Sequence, residues 1–167
     1  INVSARQVER SDFIESVARC LATTGCPARL LRLELTEGLM LRRSQELIAK
    51  LQALHAMGLS LSIDDFGTGY SSLSMLKHFP LDELKIDRSF VSDLPGNTDD
   101  ATLIKTIIAM GRNLGLEVIA EGVETAAQFE FLRQSGCMAY QGYLFGRPSP
   151  IEEFEQQLKA RATSLQV

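Results

Sequence analysis

The sequence predicts a parallel α/β barrel, with about six of the eight βα units of such a barrel in 167 residues. Three observations carry that expectation. Short apolar runs alternate with amphipathic stretches, the links between them are brief, and polar residues gather at the C-terminal ends of the strand-like runs. Strand candidates fall at about 1–4, 29–35, 59–64, 83–87, 116–120 and 138–142. Helices are expected at about 11–24, 42–57, 69–78, 100–114, 126–135 and 150–163. Strand, helix, strand, repeated with short connections, is the pattern of parallel βα units. A doubly wound open sheet is the alternative topology.

The punctuation supports these elements. Asp12 with Glu15, Thr125 with Gln128 and Ser149 with Glu152 each place a capping residue three positions before a Glu or Gln. Pro150 then takes the first helical position, where a missing N–H costs nothing. Gly25, Gly58, Gly115 and Gly136 mark helix ends.

Composition limits the ligands. The chain is 45% hydrophobic and 23% charged, as a globular domain should be, with a net charge of -4. That charge gives no general attraction to polymeric nucleic acid. A phosphate-bearing ligand therefore needs a bound cation or a focused basic group. No run approaches the roughly 18 apolar residues of a membrane span, and no signal peptide is recognisable, so a cytoplasmic location without membrane contact from this segment is expected. Cys20, Cys26 and Cys137 lack the spacing of a zinc motif or a disulfide framework, and read as small buried thiols. The chain opens at Ile1 inside an apparent strand, without Met, and reads as part of something longer.

Side-chain parity sorts the strands into two faces, because alternate residues point opposite ways. Leu33 and Leu35 oppose Arg32 and Glu34; Leu61 and Ile63 oppose Ser62 and Asp64. Leu84 and Ile86 oppose Lys85 and Asp87; Val118 and Ala120 oppose Ile119 and Glu121; Val3 opposes Asn2 and Ser4. The greasier face is expected to meet the helices and the other to point into the barrel. The inward polar residues sit mostly at C-terminal strand ends, the rim on which barrel enzymes carry their chemistry.

Crowded carboxylates raise one another's pKa unless something compensates them. A hard divalent cation such as Mg²⁺ or Mn²⁺ does so, and Asn2 adds a neutral oxygen that such ions accept. Adjacent Asp64 and Asp65 suit two metal ions where the chain turns out of its strand. As an isolated hexamer, Asp64–Gly69 reads equally well as a turn in which Asp65 caps and Gly67 and Gly69 supply unusual dihedrals. Lys85 suits orientation of an attacking water or neutralisation of a developing oxyanion, and is also readable as an ion pair with Asp87. Glu37 and Glu124 lie just past strand ends and read as loop-ordering groups. Arg147 reads as a phosphate contact or a solvated loop residue.

Six segments then match a known pattern. Asn2-Val-Ser-Ala-Arg-Gln, Glu34-Leu-Thr-Glu37, Asp64-Asp-Phe-Gly-Thr-Gly69, Lys85-Ile-Asp-Arg-Ser-Phe-Val91, Glu121-Gly-Val-Glu124 and Gln141-Gly-Tyr-Leu-Phe-Gly-Arg-Pro148 resemble the EAL domain, the bacterial cyclic di-GMP phosphodiesterase. The resemblance runs in order over essentially the whole chain. It implies a modified TIM barrel that hydrolyses cyclic di-GMP to linear pGpG with Mg²⁺ or Mn²⁺. By motif, Asn2, Glu34 and Asp64 would hold one metal and Asp65 a second, with Asp87 near it. Lys85 would hold the nucleophilic water, Glu121 would be a metal ligand or general base, and Gln141 would complete the site. Glu37 and Glu124 would steady the loop 65–75, which in the family links the site to homodimerisation. The namesake Glu-Ala-Leu strand belongs upstream of Asn2, so residues 1–167 are expected to form a partial domain, lacking about two strands and a helix of the barrel. Other readings are a non-catalytic cyclic di-GMP receptor and, from the residues alone, an enolase-like barrel with Lys85 as carbon-acid base.

Overall fold

Six strands of the computed structural model lie side by side in chain order, all parallel. The described residues are 1–40, 44–69 and 76–164. The strands are β1 Asn2–Val3, β2 Arg32–Thr36, β3 Ser60–Phe66, β4 Glu83–Ile86, β5 Glu117–Ala120 and β6 Ala139–Tyr140. The helices, numbered over the described residues, are α1 Ala5–Glu9, α2 Phe13–Thr24, α3 Glu37–Met40, α4 Gln45–Ala56, α5 Arg88–Val91, α6 Thr98–Asn113, α7 Ala126–Gln134 and α8 Ile151–Ser164. Sequential parallel order with helical crossovers is the barrel pattern, not the reversed order of a doubly wound sheet.

The predicted parity holds in packing. Leu33, Leu35, Leu61, Ile63, Leu84, Ile86, Val118 and Ala120 are all buried, in one core with Leu51 and Leu54 of α4 and Ile104 and Ile108 of α6. The opposite face is polar at two levels. At the lower level Glu83 is only 1% exposed, accepts a hydrogen bond from Ser62 Oγ at 2.7 Å and pairs with the Arg32 guanidinium. Arg32 also reaches Glu117 at 3.3 Å. A buried carboxylate persists only with such partners.

Local signals account for most element ends. Thr125 and Gln128 form a reciprocal capping box on α7, as expected. Ser4 and Gln7 form another on α1, which the strand and helix patterns passed over. Gly25 closes α2 at φ 66°, a left-handed conformation that glycine adopts without steric cost. Asp12 departs from expectation. Its carboxylate is held by Arg10 at 2.9 and 2.8 Å and makes no cap to α2. The strand expected from residue 29 begins at Arg32 instead, because Ala28–Leu30 forms one 3₁₀ turn after Pro27. The thiols also differ. Cys137 is buried, but Cys20 is exposed on α2, which buries none of its residues completely, and Cys26 is half-buried just after that helix. The helix expected over 69–78 and the first two residues of 42–57 fall largely outside the described residues.

Candidate metal centre and active site

Four of the strands, β2 to β5, each deliver one group to a common point. Lys85 on β4 is the hub: its ammonium lies 2.6 Å from Glu121 Oε1, 3.0 Å from Glu34 Oε1 and 3.3 Å from Asp64 Oδ1. These groups come from β2, from the end of β3, from β4 and from just beyond β5, as inward parity requires. The expected alternative of a Lys85–Asp87 ion pair is replaced by this three-carboxylate cluster. Burial disfavours the Lys85 charge, but hydrogen bonds to Glu121 and Glu34 and the charges of Glu121 and Asp64 outweigh it, holding the ammonium above the usual lysine range. Lysine therefore supplies one fixed positive charge.

One charge does not satisfy the cluster. Burial, reinforced by Asp64 and Glu34, pushes the Glu121 carboxyl up against the opposing pull of Lys85. Burial and the charges of Asp64 and Asp87 push Asp65 up as well. Asp64 Oδ1 is within ion-pair reach of Lys85, yet it is shut away from solvent and makes no directed hydrogen bond. Oxygen atoms of Asp64, Asp65 and Glu121 lie within 4.8 Å of one another. Three carboxylates sharing one ammonium, in an all-oxygen set, fit a hard divalent cation and give no soft ligand for zinc.

Asp65 occupies φ 55°, the one described non-glycine residue with positive φ. The irregularity of β3 between Ile63 and Phe66 takes its carboxylate out of the strand alternation, where the charges of Asp64 and Asp87 both act on it. Strain of this kind persists only where the surroundings fix it. Glu37 supplies that fixation: it is 3% exposed, and its Oε2 accepts the N–H groups of Gly67 and Gly69, both at 3.0 Å. A Cβ on Gly69 would stand 2.9 Å from Glu37 Oε1. Asp87 lies past the end of β4 and caps α5, accepting from the Ser89 N–H at 2.9 Å. Burial acts to raise its pKa, but hydrogen bonding from Ser89 prevails and holds it below the usual carboxylate range.

Asn2 stands opposite Glu34 in the β1–β2 register, on the exposed edge strand. Glu121, Glu124, Gln141 and Arg147 line a groove of about 610 Å³ that opens from the carboxylates. Gln141 is tied into its wall by main-chain bonds, its N–H to Ala120 O at 2.8 Å and its carbonyl to the Val123 N–H at 3.0 Å. Gly142 follows because a Cβ there would lie 2.1 Å from Val123 O. Arg147 stacks over the Tyr143 ring at 4.5 Å, which gives the groove a basic, aromatic lip. Glu124 is exposed on its edge, and its backbone N–H goes to Gln128 Oε1 at 2.8 Å. Sequence reasoning missed Gln128 as more than a cap and missed Glu83 altogether, although parity places Glu83 directly below Lys85.

The fold and rim together define a TIM-like α/β barrel protein with an acidic, cation-ready centre. The chain belongs to the EAL domain family, whose model matches residues 1–148. It is 45% identical over 160 residues to the cyclic di-GMP phosphodiesterase NbdA of Pseudomonas aeruginosa, covering 96% of this chain and 20% of that protein. The structure of the MucR phosphodiesterase of the same organism in complex with cyclic di-GMP superposes with a TM-score of 0.87 at 46% identity, covering 92% of this chain and 62% of that one. Klebsiella pneumoniae BlrP1, solved with manganese and cyclic di-GMP, superposes with a TM-score of 0.81 at 32% identity, over 89% and 38% of the respective chains. The chain thus spans about a fifth of the length of the curated relatives it matches. No described helix is long and apolar enough to cross a membrane.

Proposed function

We propose that this chain carries the catalytic rim of a cyclic di-GMP phosphodiesterase that yields linear pGpG. The observation that carries the reading is the Asp64–Asp65–Glu121 oxygen cluster, in which the buried Asp64 Oδ1 has the Lys85 ammonium at 3.3 Å but no directed hydrogen bond. In this reading Asn2, Glu34 and Asp64 hold one divalent cation, Asp65 and Asp87 serve a second, and Glu121 stands between ligand and general base. Mg²⁺ or Mn²⁺ bound there would supply Lewis acidity and charge compensation for in-line displacement at phosphorus. Lys85 orients the attacking water with its ammonium and offsets negative charge on the phosphoryl oxygens. Glu121, its carboxyl biased upward by burial, is suited to take the proton that this water gives up. Gln141 and Arg147 line the groove as substrate contacts, and Glu37 and Glu124 order the neighbouring loops.

The same reading makes residues 1–167 part of a larger EAL domain working in the cytoplasm, with homodimer contacts through 65–75; residues 70–75 lie outside the described part. Its test is direct. The chain is incubated with cyclic di-GMP and Mg²⁺, Mn²⁺ or EDTA, and pGpG is followed by chromatography. Metal-dependent pGpG release supports the reading. Binding of cyclic di-GMP without turnover in either metal would make the chain a receptor instead.

A further inference from the structure

Gln128 is 5% exposed, and its side-chain amide serves two loops at once. Its Oε1 accepts the N–H groups of Glu124 at 2.8 Å and Thr125 at 2.9 Å. Its Nε2 donates to Ser92 O at 3.1 Å. The first two bonds belong to the N-terminal cap of α7, but the third crosses to another βα unit. Ser92 is the C-cap of α5, a single helical turn whose N-cap is Asp87. Glu124 ends the loop that begins with Glu121. One buried amide therefore joins the segment carrying Glu121 to the segment carrying Asp87.

The two segments are already joined where their strands end, the Glu121 N–H donating to Ile86 O at 3.1 Å, and the Gln128 bond adds a second tie further out, between the loop after β5 and α5. A single turn such as α5 is not stable alone. Gly122, at φ 69°, lets the β5 loop lie flat on α5, where a Cβ would sit 2.5 Å from Arg88 Cβ. The Gln128–Ser92 bond is directional, and the amide that donates it is itself buried, so losing the acceptor leaves a buried donor unsatisfied.

We infer that Gln128 is a positioning residue, which sets the separation of Glu121 from the Asp65–Asp87 pair by bonding the loop after β5 to the helix after β4. The inference rests on the proposed reading of that rim as a metal site. Groups that orient metal ligands through hydrogen bonds typically contribute about ten- to a hundredfold to metal affinity or activity.

Gln128→Glu separates this role from helix capping. A glutamate keeps both acceptor bonds, and its charge at the first turn of α7 favours the helix. It has no donor for Ser92 O, and it sets a carboxylate against that carbonyl. Thr125→Ala is the complement: it removes the hydroxyl that accepts the Gln128 N–H at 3.2 Å and leaves the cross-loop bond in place. Mn²⁺ affinity by titration calorimetry, pGpG turnover and Tm are measured for the wild-type chain and both variants. The expected result is about tenfold weaker Mn²⁺ binding or turnover for Gln128→Glu, with a Tm no lower than that of Thr125→Ala, which keeps wild-type affinity and turnover. A Gln128→Glu chain within twofold of wild type in both, or a Thr125→Ala chain equally impaired, overturns the positioning role and leaves the metal site standing. A wild-type chain that takes up no Mn²⁺ removes the reading of the rim, and the inference with it.

Discussion

The Lys85 ammonium lies 2.6 Å from Glu121 Oε1, the shortest of its three carboxylate contacts at the rim. Lysine here does part of a cation's work, and the two kinds of charge should substitute for each other in stability. Lys85→Met leaves Glu34, Asp64 and Glu121 without their counter-charge. The variant should lose about 3 kcal/mol in urea denaturation with EDTA, the lower end of the cost of breaking a buried pair. Added Mn²⁺ should recover more stability in the variant than in the wild type. Equal stability of the two in EDTA would remove Lys85 from the electrostatic balance.

The level below is expected to matter for folding. Arg32→Met strands the buried Glu83 with only Ser62 beside it. Urea midpoints should fall by an amount equivalent to about 3 kcal/mol. Adding Glu83→Gln should restore more than half of that, because the amide needs no counter-charge and can still bond Ser62. A double variant no better than the single one would show that packing, not charge, sets the cost.

Much of this site is legible in the amino-acid sequence alone. Strict alternation puts Glu34, Asp64, Lys85 and Glu121 on one face, because period-two geometry in β2, β3, β4 and β5 leaves a side chain no other choice. What escapes is what alternation does not encode. Asp87, read as inward by the same alternation, also caps α5, a second role that alternation does not encode. Asp12 loses its capping role to Arg10, a competition between two local partners that spacing cannot rank. Gln128 carries a capping signature that conceals a second bond 36 positions away in the chain. Glu83 is inward by parity but lies at the wrong end of its strand for a rim search.

The Glu37 contacts to Gly67 and Gly69 predict a loop-borne effect on chemistry. Glu37→Ala should lower pGpG turnover about tenfold or more. Glu37→Gln should fall between, since a neutral amide oxygen accepts the same bonds less strongly. Steady-state kinetics on the three chains check the order. Turnover unchanged in Glu37→Ala would free the loop from its role.

Cys137 gives a pH test away from the rim. Burial pushes its thiol above the ordinary 9.0, with its Sγ held at 3.3 Å from Ala139 O. Above that ordinary value the unfolded chain releases the proton while the folded chain keeps it. The thiol's contribution is therefore complete below 9.0 and is lost as pH rises through the higher folded value. Wild-type urea midpoints should drop between about pH 8 and about pH 10, and Cys137→Ala should drop less over the same range. Parallel curves would contradict this assignment.

The central claim concerns Asp64, whose buried Oδ1 has no directed hydrogen bond. Titration calorimetry of Mn²⁺ into the wild-type chain and Asp64→Asn tests it most directly, with circular dichroism to confirm that both are folded. Saturable binding by the wild type, weakened at least about a hundredfold in the folded variant, is the predicted result. Equal affinity in the two chains would take Asp64 out of the ligand set and contradict the account.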